Sequence, residues 1–166
     1  MKVYLTVHPD AVTQAEVFEH IAAPLVEHRL GWKGLSVVHT HAAADSVVTL
    51  TPRHVMRTLF PEFQDQRLSV CDMQTREVWL NEDRWRRVLP DASHLPLPAY
   101  RAYMVQHELG HALGHGHDQH KGTPGEPAPV MIQQTLGIGT YSPNPFPTST
   151  EMANQKKSRN FRRPMK

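Results

Sequence analysis

The stretch HELGHALGHGH at residues 107–117 limits the folding options of this chain more than any other segment. It falls in PAYRAYMVQHELGHAL, which reads as a helix with Pro98 in its first turn and Gly114 as its stop. One helical turn separates His107 from His111. Their rings therefore project from one face, about 6 Å apart along the axis, and can meet a common ion. Glu108 sits beside His107, off the ligand stripe, where it can reach water at the ion without binding the ion itself. Gly114 lets the chain leave the helix through a left-handed or otherwise strained conformation, so that His117 turns back to supply a third nitrogen. Three protein ligands leave a fourth position open, as a working metal site requires and a closed structural one does not. His115, Asp118 and His120 crowd the same segment, and Asp118 or His120 could take the place of His117 as third ligand. The other histidines, His8, His20, His28, His39, His41, His54 and His94, are scattered and read as surface or core residues.

The rest of the chain supplies a scaffold. VYLTVH alternates apolar and polar residues and predicts a first strand, ended by Pro9 and Asp10. From Thr13 the residues Val17, Phe18, Ile21, Ala22, Leu25 and Val26 recur at helical spacing, and Thr13 with Glu16 fits a capping box; Pro24 is a candidate kink. LSVVHT and SVVTLT, rich in β-branched residues, predict two strands, and RHVMRTLF a short helix opened by Pro52. RLSVCD and REVWLN predict a hairpin or neighbouring strands, and NEDRWRRVL a helical turn. Beyond residue 114 the chain is rich in Gly and Pro and is expected to be mostly irregular. This order argues for an α+β domain with one sheet and two principal helices, followed by an irregular C-terminal part.

A chain of 166 residues suits one domain. Its charge is uneven: Lys156, Lys157, Arg159, Arg162, Arg163 and Lys166 stand against Glu151 alone, a net +5 on residues 151–166 that leaves the preceding residues at −3. The expected division is a domain over 1–148 and a basic, flexible tail over 149–166, which could touch nucleic acid, an acidic partner or a membrane surface. No apolar run approaches the roughly 20 residues needed to cross a bilayer. The start MKVYLTVHPD lacks the apolar core of a signal peptide. Cys71 is the single cysteine, so a disulfide-framed scaffold is excluded and a reducing, cytoplasmic compartment is favoured.

At residues 107–117 the chain resembles the metzincins, whose long motif H-E-x-x-H-x-x-G-x-x-H it matches at every defining position. The resemblance implies a zincin-like α+β fold with a mixed, twisted sheet, a backing helix and an active-site helix, a catalytic zinc on His107, His111 and His117, hydrolysis of peptide bonds with Glu108 as general base, and a methionine turn beneath the metal. Met131 in APVMIQQ, 14 residues after His117, is placed to provide that turn. Tyr141 lies where some metzincins place a tyrosine that binds the metal or steadies the oxyanion. RLSVCD or REVWLN would supply the edge strand for an extended peptide or protein substrate. YRAYMVQHELGHALGHGH, PAPVMIQQTLG, SPNPFP and, more loosely, VWLNEDRW are similar to uncharacterised, metzincin-like bacterial domains of unknown function over about 35–148. Those relatives are typically secreted or anchored and carry cysteines, from which this chain departs. The resulting expectation is a zinc-dependent endopeptidase. The competing expectation is a nucleic-acid- or protein-binding module with a structural or vestigial zinc site and a working basic tail, against which Glu108 weighs, since a structural zinc needs no base.

Overall fold

Alternation in VYLTVH produces β1 (Lys2–Val7), which buries Val3 and Leu5 and packs Val7 against the same core. The computed structural model describes residues 1–62, 68–119 and 122–161. β1 is flanked in parallel by β2 (Ser36–Val38) and β3 (Ser46–Thr51). β3 pairs in parallel with β5 (Glu77–Asn81), and β4 (Val70–Asp72) closes the sheet antiparallel to β5, giving the order β2-β1-β3-β5-β4. Register places Leu5, Val48 and Val78 in one cross-strand row and Val7, Leu50 and Leu80 in the next, and these rows face the core. β4 comes from RLSVCD, so that segment, and not REVWLN, supplies the outer strand.

Two helices cover the sheet and touch each other. α1 (Ala15–Val26) packs on β1 and β2 and buries Phe18, Ala22 and Val26, one residue per turn. It runs through Pro24 without ending there, while Val17, expected in the apolar stripe, is 48% exposed. The capping box expected at Thr13 and Glu16 is absent: Gln14 is the N-cap and no side chain caps this helix. The N–H groups of Val12 and Thr13 go instead to the buried carboxylate of Glu82, at 3.3 and 2.7 Å. α2 (Arg53–Leu59) follows Pro52 as expected. α3 (Glu82–Arg86) is capped by Asn81, whose side-chain oxygen takes the N–H groups of Asp83 and Arg84. The second main helix, α4 (Leu97–Ala112), packs on β4, β5 and α1 and is buried without a break from Ala102 to Gly110. A helix enclosed on all sides holds its side chains more firmly than a surface helix does.

Among the described residues between α4 and residue 148, the regular structure is one turn of 3-10 helix at Gln134–Leu136 and a single parallel bridge between Pro127 and Ser142. It then forms α5 (Ser149–Phe161), and here the structure departs from the expected boundary at 148. Thr148 and Glu151 cap this helix reciprocally: the Glu151 carboxylate takes the Thr148 N–H at 2.7 Å and the Thr148 hydroxyl takes the Glu151 N–H at 3.3 Å. Glu151 and Gln155 are buried, so the first turns of the supposed tail belong to the folded unit. Arg162, Arg163 and Lys166 of the basic segment lie outside the described residues. No helix among the described residues is long and apolar enough to cross a membrane.

Candidate metal centre

Near its C-terminal end α4 delivers His107 and His111 on one face, with their Nε2 atoms 3.2 Å apart. The helix stops at Gly114, whose φ of 93° is left-handed. Gly114 N–H bonds to His111 O at 2.8 Å and His115 N–H to Gly110 O at 2.9 Å, the two bonds of a Schellman ending. This reversal returns His117 to the helix, its Nε2 3.1 Å from that of His111. Ligand atoms of all three histidines lie within 4.8 Å of one another, and among the described residues no other cluster of this kind occurs. His120 lies outside the described residues, and Asp118 instead bonds through its N–H to Met131 O at 3.0 Å.

Hydrogen bonds fix which nitrogens face inward. His107 Nδ1 lies 2.7 Å from Val130 O, and His111 Nδ1 lies 2.7 Å from His115 O. A carbonyl oxygen can only accept, so each Nδ1 carries the proton and each Nε2 presents a lone pair. Burial pushes His107 down to about 3, helped by the neighbouring His111 and His117 and opposed by the bond to Val130. Burial also lowers His111 and His117. Burial thus disfavours the charged form of all three imidazoles, and the Nε2 atoms of His107 and His111 turn their lone pairs inward. Nitrogens about 2.0–2.1 Å from a shared ion, at tetrahedral angles, stand about 3.3–3.4 Å apart. The observed 3.1 and 3.2 Å fit such an ion. His107 is buried, His111 half-buried and His117 exposed, so the centre opens on one side.

Glu108 is buried beside this centre, and burial pushes its carboxyl up to about 8. The three histidines and Glu108 line a cleft of about 390 Å³ that is otherwise largely apolar, with Met56, Phe60, Met73, Tyr100 and Met104. Val70 and Cys71 of β4 form its edge, and burial pushes the Cys71 thiol up to about 12, with Glu108 and Asp72 adding to the effect. The thiol is an inert wall.

Met131 packs under α4 against Gly110, where a Cβ would collide with its Sδ atom. Tyr141 takes the Gly122 N–H on its hydroxyl and is not among the residues that line the cleft. His115 supports the site through its carbonyl, and its ring stacks on Trp32 at 4.5 Å. The contacts of Trp32 with His115, of Val130 with His107, and of Glu151 with the Val130 and Met131 N–H groups lie beyond the sequence reading. For Glu151 a signal existed in the capping pattern T-S-T-E at 148–151.

The fold is metzincin-like. The chain is similar in structure to the archaemetzincin of Methanopyrus kandleri, with a TM-score of 0.59 and 17% identity over 96% of each chain. No curated protein sequence matches it. A family model described as "Protein of unknown function (DUF3152)" matches residues 13–160, and by that match this chain belongs to the DUF3152 family.

Proposed function

We propose that this protein is a zinc-dependent endopeptidase, in which His107, His111 and His117 hold the metal and Glu108 is the general base. The observation that carries the reading is the convergence of three imidazoles, two of them held in fixed tautomers by carbonyls, beside a buried carboxyl in an open cleft. The likeness to an archaemetzincin supports it at the level of fold. Zinc at such a site supplies a water activated near neutral pH and a Lewis acid for the scissile carbonyl.

The chain's own groups perform the remaining work. β4 is the outer strand of the sheet and edges the cleft, so an extended peptide can pair with its main chain and present one bond to the centre. Glu108 takes a proton from water and passes it to the departing amine nitrogen. Its raised pKa suits both transfers, and a cation beside it favours the carboxylate needed for the first. Met131 forms the apolar floor under the ligand helix.

The test is zinc content and cleavage of a mixed peptide library, for wild type and Glu108→Gln. One zinc per chain in both proteins, with cleavage reduced about 10²- to 10⁴-fold in the variant, is the expected result. Absence of zinc from both would overturn the metal assignment, and undiminished cleavage by the variant would overturn the role of Glu108.

A further inference from the structure

Two polar side chains one turn apart on α5, Glu151 and Gln155, are 6% and 3% exposed, and both bond to main chain near the histidine cluster. Burying a carboxylate is costly unless donors surround it. Glu151 has four: the N–H groups of Met131 at 2.8 Å, Val130 at 3.1 Å and Thr148 at 2.7 Å, and the Thr148 hydroxyl at 2.9 Å. The Met131 N–H belongs to the same peptide unit as the Val130 carbonyl, and that carbonyl accepts His107 Nδ1–H at 2.7 Å. One rigid peptide plane therefore links the Glu151 carboxylate to the His107 imidazole. A negative charge on its N–H end strengthens the carbonyl as an acceptor, which in turn makes the imidazole a better donor to a metal. A second link runs in parallel. Gln155 accepts the Lys33 N–H and donates to Lys33 O, both at 3.1 Å, next to Trp32. The Trp32 indole stacks on His115, whose carbonyl holds His111 Nδ1–H.

From these two links we infer that α5 is the brace of the metal centre, with Glu151 a positioning residue for His107, and Gln155, through Trp32, for His111. The inference rests on the reading of His107, His111 and His117 as metal ligands.

The test uses the full chain. Zinc affinity is measured by competition with a chromophoric chelator, and the visible bands of the cobalt-substituted protein report ligand geometry. Wild type is compared with Glu151→Gln, Glu151→Ala and a control, Phe18→Leu, which loosens the core where α1 meets Trp85. Glu151→Gln keeps the side-chain size and can keep its oxygen on the Val130 and Thr148 donors, but it turns an NH2 toward the Met131 N–H and so breaks the link to His107. Zinc binding is expected to weaken about tenfold in Glu151→Gln and up to about 100-fold in Glu151→Ala, with shifted cobalt bands. Phe18→Leu should melt lower yet bind zinc as wild type does. If Glu151→Ala fails to fold, Glu151→Gln decides. A folded Glu151→Gln with wild-type affinity and spectrum would overturn the brace and leave the ligand assignment standing, whereas a wild type that takes up no zinc would overturn both.

Discussion

Glu108 and the histidines beside it are held in protonation states that the unfolded chain would not share, and the stability of the metal-free protein carries that record. Burial raises the Glu108 carboxyl from 4.5 to about 8 in the folded state. Between those values the folded chain keeps a proton that the unfolded chain has released, so stability falls as pH rises through this window. Glu108→Gln removes the cost. The histidines, lowered by burial, act in the opposite direction but are common to both proteins and cancel in the comparison. In excess chelator, Glu108→Gln should exceed wild type in stability by about 1–3 kcal/mol at pH 8, and the gap should close as pH falls toward 4.5. Urea denaturation at the two pH values measures this, and equal stability at pH 8 would contradict the burial of an ionising carboxyl. Gly110 offers a second check, because Gly→Ala inside a helix ordinarily gains about 1 kcal/mol. Here the new methyl meets Met131 Sδ and lies 3.1 Å from Trp32 Cζ2 in a closed core, so Gly110→Ala should instead cost about 1–3 kcal/mol, read from the same denaturation curves.

At the level of elements, local pattern and tertiary contact disagree in an instructive way at two of the three Thr-x-x-Glu sequences, those at helix starts. Thr13 and Glu16 form no box, because Glu82 of α3 reaches across to take the N–H groups of Val12 and Thr13. That partner is some 70 residues distant, beyond any local reading. Thr148 and Glu151 do form the box, at a place read as flexible tail because its composition is basic and polar. Elements with strong periodicity were legible: β1, α1, β3, α2 and the histidine-bearing helix α4 stand where alternation, helical spacing, Pro52, Pro98 and Gly114 put them. The converging histidines were legible for the same reason, since one helical turn and one glycine reversal decide their geometry. What escaped were partners joined through the main chain, such as the Val130 and His115 carbonyls, because a carbonyl acceptor leaves no mark on residue identity. The contrast at α1 can be measured. Glu82→Ala strands two N–H groups and a buried contact and should cost about 1–3 kcal/mol, whereas Thr13→Ala should cost less than about 0.5 kcal/mol. Equal losses in thermal denaturation would restore the local box.

Over the whole molecule, an ion on the three histidines would add one more tie between segments that Tyr100, Tyr103 and Met131 already join. The lone Cys71 permits no internal crosslink, and the stretch from Gly114 to Thr148 has little regular structure of its own. His107 and His111 come from the closed core of α4, His117 from the far side of the Gly114 reversal, and their supports from Val130, His115, Trp32 and α5. An ion on the three nitrogens would therefore restrain the irregular C-terminal part against the sheet-bound part, the service a disulfide performs in other small domains. Ligand binding to the folded state alone adds about 2.7 kcal/mol at a free concentration of 100 times Kd. For a chain of this size that is a rise in Tm of about 5–10 °C on adding zinc to chelator-treated protein, reduced to the extent that the unfolded, histidine-rich chain also binds. Hydrogen exchange locates the effect: zinc should slow exchange most between Gly114 and Gln134 and in the first turns of α5, and least in β1 and β3, which the ion does not touch. A uniform slowing over all segments would mean that the ion merely shifts global unfolding, and that the C-terminal part is already as firmly held as the sheet without it.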